Sequence, residues 1–159
     1  MSQILKEGQK ITTKSSRMEC TVFDFLGGGG QGEVYRADLS GREVALKWYL
    51  PGCATPRQRA SLELLIRKGP PTSRFLWPLE LVSAAEIAGF GYIMPLREPR
   101  FRAIADLMKR RIDPTFRALA TAGFGLAHSF LHLHSQGLCY RDISFGNIFF
   151  DPQSGEVVI

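Results

Sequence analysis

Cysteine is scarce in this chain. Cys20, Cys53 and Cys139 are the only three among 159 residues, odd in number and without a Cys-x-x-Cys pair. That pattern excludes a disulfide framework and a zinc knuckle, and the three read as reduced thiols of a cytoplasmic protein. Long apolar runs are missing as well. Residues 1–10 mix Lys, Glu, Gln and Gly and have no apolar core of the kind a secretory signal needs. Thr115 to His134 has the length of a membrane span, yet it contains Arg117, Ser129 and all three histidines. Leu119, Gly123, Leu126, Phe130 and Leu133 recur there at helical steps, which predicts one buried face of an amphipathic helix and no membrane contact. His128 and His132 stand four apart, but Ser129 replaces the Glu of a zinc-protease helix and no third ligand is in sight, so they read as packing residues. There is no block of one charge sign. The net charge is +5, with Lys109-Arg110-Arg111 the densest basic run, which reads as a solvated face. Phe145, Phe149 and Phe150 alternate as packing residues do, and no nucleic-acid partner is assigned.

What is present is an ordinary globular composition, 45% apolar and 22% charged, in a chain of single-domain length. Cys20 to Leu26 is β-like and leads into Gly27-Gly28-Gly29-Gly30-Gln31-Gly32, and Glu33 to Ala37 is extended again. After the turn Asp38-Leu39-Ser40-Gly41, Arg42 to Tyr49 predicts a strand with Val44, Leu46 and Trp48 on one side and Lys47 on the other. Pro56 to Lys68 predicts a helix with the stripe Leu62, Leu65 and Ile66, ended by Pro70-Pro71, and Glu63 is its only acid. Leu79 to Ser83 and Phe90 to Met94 predict two further strands. Beyond the long helix, Leu138 to Tyr140 reads as a brief strand, and Ile148 to Phe150 with Val157 to Ile159 flank the turn at 151–155.

Three motifs carry chemistry. The glycine run alone is weak, since glycine-rich turns are common. A dinucleotide-binding loop requires a helix to start there, whereas the sequence after Gly32 is extended. A strand–loop–strand hairpin can instead cover a triphosphate, because glycines let backbone N–H groups approach its oxygens. One strand later, Val44-Ala45-Leu46-Lys47 places a lysine among apolar neighbours, where it can neutralise phosphates if an acid fixes its ammonium group. Glu63 is the acid best placed to do so. Lastly, Arg141-Asp142-Ile143-Ser144-Phe145-Gly146-Asn147 offers a carboxylate for a hydroxyl proton and an amide oxygen for Mg2+.

In order and at these intervals, Gly27-x-Gly29-x-x-Gly32-x-Val34, Val44-Ala45-Leu46-Lys47 and Arg141-Asp142 with Asn147 resemble the eukaryotic-like protein kinase family over nearly the whole chain from Cys20. The resemblance is to the bacterial serine/threonine type. It implies an α+β, two-lobed protein-kinase-like fold with a complete β-rich N-lobe and a partial helical C-lobe. The segments expected are an N-terminal extension at 1–19, the N-lobe at 20–95, and the hinge and partial C-lobe at 96–159. By the same resemblance, ATP lies against Gly27, Gly28, Gly29, Gly30, Gln31, Gly32, Val34, Ala45 and Lys47. Met94 guards the adenine pocket, and Pro95, Leu96 and Arg97 form the hinge. Glu63 orients Lys47, Asp142 is the catalytic base and Asn147 binds Mg2+.

Two positions depart from the family pattern: Tyr140 stands where His is usual, and Ser144 where serine/threonine kinases place a lysine. The Asp-Phe-Gly-like motif that follows the strand resembling Val157-Val158-Ile159 is not in the sequence. The expectation is therefore an ATP- and Mg2+-dependent kinase of protein Ser/Thr hydroxyls in the intact parent. This stretch alone is expected to be incompetent and to self-associate through uncovered helix surface. The alternatives are a nucleotide-binding pseudokinase or docking module, and a small-molecule kinase, the latter disfavoured by Arg141.

Overall fold

The computed structural model describes residues 3–159. They form two compact units, one of residues 3–69 with Trp77–Leu96, the other of Pro70–Leu76 with Arg97–Ile159.

The first unit is a closed antiparallel barrel. Its strands are β1 (Lys10–Thr13), β2 (Glu19–Gly28), β3 (Gly32–Leu39), β4 (Arg42–Tyr49), β5 (Glu80–Ser83) and β6 (Gly91–Pro95), in the order β1-β2-β3-β4-β6-β5. Alternation of side chains along a strand explains the closure: Val44, Leu46 and Trp48 all point inward and are fully buried, with Ile11, Val22 and Ile93. Closing the sheet removes exposed edges and seals this core.

Residues 3–19 are built into the barrel and are not an extension outside it. Strand β1 pairs with both β2 and β5, through Ile11↔Cys20 and Thr13↔Val82. Leu5 is fully buried, and its amide donates to the Tyr35 hydroxyl at 3.0 Å. Without β1 the sheet could not close, which is why the short strand is recruited although no long apolar pattern announces it. Burial pushes the Cys20 thiol up to about 11, which makes it a packing residue and not a nucleophile.

Helix α1 (Pro56–Lys68) starts where the sequence predicts. Thr55 caps the Gln58 amide at 3.1 Å and Pro56 occupies the first turn. Gly69, at φ 76°, ends it by donating to the Leu65 carbonyl, one residue before the prolines. Leu62 packs with Tyr49, Leu81 and Phe90 against the outer face of the barrel sheet.

The second unit contains β7 (Arg102–Ala103), α2 (Ile104–Met108), α3 (Phe116–Ser135), β8 (Phe149–Phe150) and β9 (Val157–Val158), with strand order β7-β8-β9. Residues 70–76 join it because Leu76 donates to the Ile159 carbonyl at 2.7 Å and Ile159 to that of Arg74 at 2.8 Å. The buried stripe of α3 differs from the predicted one: it is Ala118, Gly125, Ser129 and Leu133, while Leu119 and Gly123 are exposed. Close approach decides this. A Cβ at Gly125 would lie 3.1 Å from Val157 Cγ2, and one at Gly155 only 2.3 Å from the Ala118 carbonyl oxygen, so small residues make the contact and larger ones are turned aside.

No strand forms at Leu138 to Tyr140. The Leu138 amide is used to end α3, donating to Leu133 while Gly137, at φ 71°, donates to His134. That paired closure turns the chain into an irregular loop through Arg141 to Asn147. No helix among the described residues is long and apolar enough to cross a membrane.

Candidate active site

The glycine hairpin is the join between β2 and β3. Its pairing runs through Gly27↔Val34 and Gly28↔Glu33 after two register shifts around Phe25. Gly29 donates to the Gly32 carbonyl at 2.9 Å, and Leu50 donates to that of Gln31 at 3.0 Å, which fixes the tip to the strand carrying Lys47. The Cys53 thiol lies 3.6 Å from the Gly30 carbonyl. The glycines divide into two kinds. Gly32 is required by packing, since a Cβ there would meet the Trp48 carbonyl oxygen at 2.3 Å, whereas Gly27, Gly29 and Gly30 have nothing within 4 Å of a Cβ position. Their bareness serves no internal contact and leaves backbone open to an incoming ligand.

Strand register gathers the residues expected around a nucleotide. Val34 pairs with Lys47, and Ala45 with Met94. Cross-strand partners share a face, and positions two apart on a strand do too, so Val34, Ala45, Lys47 and Met94 all lie on the face turned away from the barrel interior. The Lys47 ammonium lies 5.6 Å from the Tyr49 ring centroid, and the Tyr49 hydroxyl accepts a hydrogen bond from Gln58 of α1 at 3.0 Å. Pro95 ends β6 and Leu96 closes the first unit. Arg97 belongs to the second unit, where its guanidinium lies 4.4 Å over the Phe149 ring and donates to the Phe101 carbonyl. Burial, reinforced by the Arg102 charge, holds the Arg97 pKa below its ordinary value.

Glu63 is engaged by a residue that the sequence offers no reason to suspect. Its Oε1 accepts from Lys14 Nζ at 2.8 Å and lies 3.6 Å from Arg59 Nε. The Lys14 hydrogen bond holds the Glu63 carboxyl below the usual range.

In the second unit, the Asn147 amide group donates to both the backbone carbonyl of Asp142 at 2.9 Å and its Oδ2 at 3.0 Å. Asn147 N–H also donates to the Ser144 carbonyl at 3.1 Å. These bonds tie the two ends of the loop together and fix the exposed Asp142 carboxylate. Tyr140 is half-buried with its ring centroid 5.9 Å from that of Phe130, and burial with the Asp142 charge raises its pKa. It anchors the loop by packing.

The donor chemistry suits a small hard cation held jointly with phosphate oxygens. Mg2+ typically takes one or two protein oxygens and keeps the rest for phosphate and water, and the Asn147 amide oxygen fits that set. Among the described residues no group of three or more His, Cys, Asp or Glu could hold a metal by itself.

The DNA damage-responsive serine/threonine-protein kinase RqkA of Deinococcus radiodurans is 33% identical over 131 residues, covering 79% of this chain and 19% of that protein. The chain is a relative of the eukaryotic-like protein kinases. A probable serine/threonine-protein kinase of Dictyostelium discoideum is 22% identical over 161 residues, covering 93% of this chain and 17% of that protein. Among solved structures, the PknI kinase domain of Mycobacterium tuberculosis superposes with a TM-score of 0.70 at 22% identity, covering 98% of this chain and 60% of the domain. A second structure of that domain gives 0.68, covering 100% and 62%. The fold is thus α+β and protein-kinase-like, with the barrel unit as its β-rich N-lobe and the second unit as C-lobe structure. This kinase relative spans about a fifth of the length of the curated proteins it matches. No protein-family model matches it.

Proposed function

We propose that the chain is the nucleotide-binding lobe and catalytic loop of an ATP- and Mg2+-dependent protein kinase that phosphorylates Ser or Thr hydroxyls. The observation that carries this reading is the double contact of the Asn147 amide to Asp142. An exposed carboxylate fixed by a neighbouring amide can accept the proton of an attacking hydroxyl, and the free amide oxygen beside it can help hold Mg2+. The acceptor class rests on the likeness to RqkA, a named serine/threonine kinase.

In this reading Gly27 to Gly32 offer backbone N–H groups to the phosphates, and Lys47 neutralises their charge. Val34, Ala45 and Met94 supply the apolar wall for adenine, with Pro95 to Arg97 as hinge. Glu63 orients Lys47, Asp142 takes the hydroxyl proton, and Asn147 would help hold Mg2+, which would supply charge to offset that of the phosphates. Electrostatics and positioning supply nearly all the rate enhancement in such chemistry, so no covalent intermediate is needed.

A second reading, a nucleotide-binding pseudokinase or docking module, is favoured by one observation: Glu63 is held by Lys14. Four forms separate the readings: the chain, its Lys47→Ala variant, a form lengthened by an Asp-Phe-Gly segment after Ile159, and the Asp142→Ala variant of that lengthened form. ATP binding is measured with and without Mg2+, then phosphoryl transfer to casein. Transfer by the lengthened form, lost in its Asp142→Ala variant, supports the kinase. Binding without transfer supports the pseudokinase, and no binding by any folded form sinks both. Phosphorylation of an aminoglycoside in place of casein would mark a small-molecule kinase.

A further inference from the structure

We infer that His128 and His132 form a two-imidazole site for a divalent transition cation of the Zn2+ class, completed by water and separate from the proposed Mg2+ position. Neither histidine enters the nucleotide chemistry, so the inference stands apart from the kinase reading.

Spacing alone argues for packing, but in the fold the two ring nitrogens converge. His128 and His132 stand four apart on α3, where such side chains share a face. Their Nε2 atoms lie 3.2 Å apart, with the ring planes at 69°. Bonds from imidazole to zinc are about 2.0–2.1 Å long, so one ion touching both nitrogens would hold them at an angle of about 103°, close to tetrahedral. Both residues are half-buried, and the exposed Phe124 stacks on the His128 ring at 5.9 Å between centroids. The pair is thus held by packing yet reachable from solvent. His132 also lies in the last turn of α3, where unpaired carbonyls favour a cation. Nitrogen donors select Zn2+, Cu2+ or Ni2+, whereas Mg2+ prefers oxygen.

A shared proton is what the ion must replace. Arg74, in the same unit, has only donors to offer, and its Nη1 lies 3.4 Å from His128 Nδ1. That assigns a neutral His128 its proton on Nε2, from which it donates to His132 Nε2. When an ion takes this position the proton moves to His128 Nδ1, and the Arg74 hydrogen bond is given up. Residue 74 therefore sets the affinity. A glutamine there would offer its amide oxygen to the Nδ1 proton, the kind of outer contact that strengthens a metal-ligating histidine.

The test is a Zn2+ titration of the full chain in excess Mg2+, followed by the ring Hε1 NMR signals of its three histidines. The His128 and His132 signals should change together with one midpoint while that of His134 stays in place. His132→Ala should raise the midpoint seen at His128 about ten-fold or more, because the second ligand binds intramolecularly. Arg74→Gln should lower the midpoint about ten-fold. A change at one ring alone, an unmoved midpoint in His132→Ala, or a midpoint in Arg74→Gln that is no lower overturns the inference. Should His132→Ala fail to fold by circular dichroism, Arg74→Gln decides, since it removes no ligand. No nucleotide enters the titration, so a failure of ATP binding would count against the kinase reading alone.

Discussion

In the barrel unit six strands close on themselves, and Trp48, Leu46 and Ile93 are sealed inside. In the second unit three strands of two residues each meet a twenty-residue helix that buries only Ala118, Gly125, Ser129 and Leu133. Phe116 and Phe124 on that helix are 87% and 71% exposed. A closed sheet satisfies its own backbone and encloses its apolar face. A single helix against a small sheet can bury one stripe and no more. The barrel is therefore held by volume, and the second unit by close approach and polar ties. Arg100 links Glu98, Asp151 and Glu156 at 2.9, 3.3 and 2.5 Å.

That contrast is open to direct attack. Trp48→Ala should have the largest effect, about 3–5 kcal/mol lost through the cavity left in the barrel core, read by urea denaturation. A loss below 1 kcal/mol would mean that the barrel does not depend on filled volume. Gly155→Ala should cost about 1–3 kcal/mol, because the position has positive φ and a Cβ would strike the Ala118 carbonyl. Hydrogen exchange of the β8 and β9 amides should report it, and wild-type protection in the variant would remove close approach as the organising feature.

Smaller still is the acid response of Asp151. The Gln153 amide, then Ser154 and Arg100, hold its carboxyl below the ordinary aspartate range. A depressed folded pKa adds stability that is fully present above the unfolded value and lost as pH falls through the folded one, so the contribution should disappear only below about pH 4. Asp151→Asn should flatten that part of the acid-denaturation curve, and an unaltered curve would show that the Arg100 network is ornamental to stability. Phe124→Ser should be the mildest, shifting stability by no more than about 0.5 kcal/mol, since the ring is already in water. The same variant tests the expectation that the chain self-associates through uncovered helix surface: sedimentation should show a smaller species for Phe124→Ser than for the chain, and a large loss of stability would instead show that the exposed ring has a packing role.

Much of the candidate site was legible from local spacing. The strand through Lys47, the helix carrying Glu63, and the loop from Arg141 to Asn147 each follow from short-range periodicity or motif. The resemblance to protein kinases rests on those same residues, and the fold agrees with it. Lys14 was not legible, because its partner lies 49 residues away and an isolated surface lysine has no signature.

The amino-acid sequence by itself determined the alternation that turns Val44, Leu46 and Trp48 inward and Lys47 outward, and the caps that start and stop α1. Those depend on interactions within a few residues, where side-chain periodicity and backbone preference suffice. Only the tertiary structure decided that residues 10–13 close the barrel, that α3 packs through its small residues, and that Glu63 meets Lys14. Each of these depends on how closely distant segments approach, a quantity set by the packing of the whole unit and carried by no local pattern.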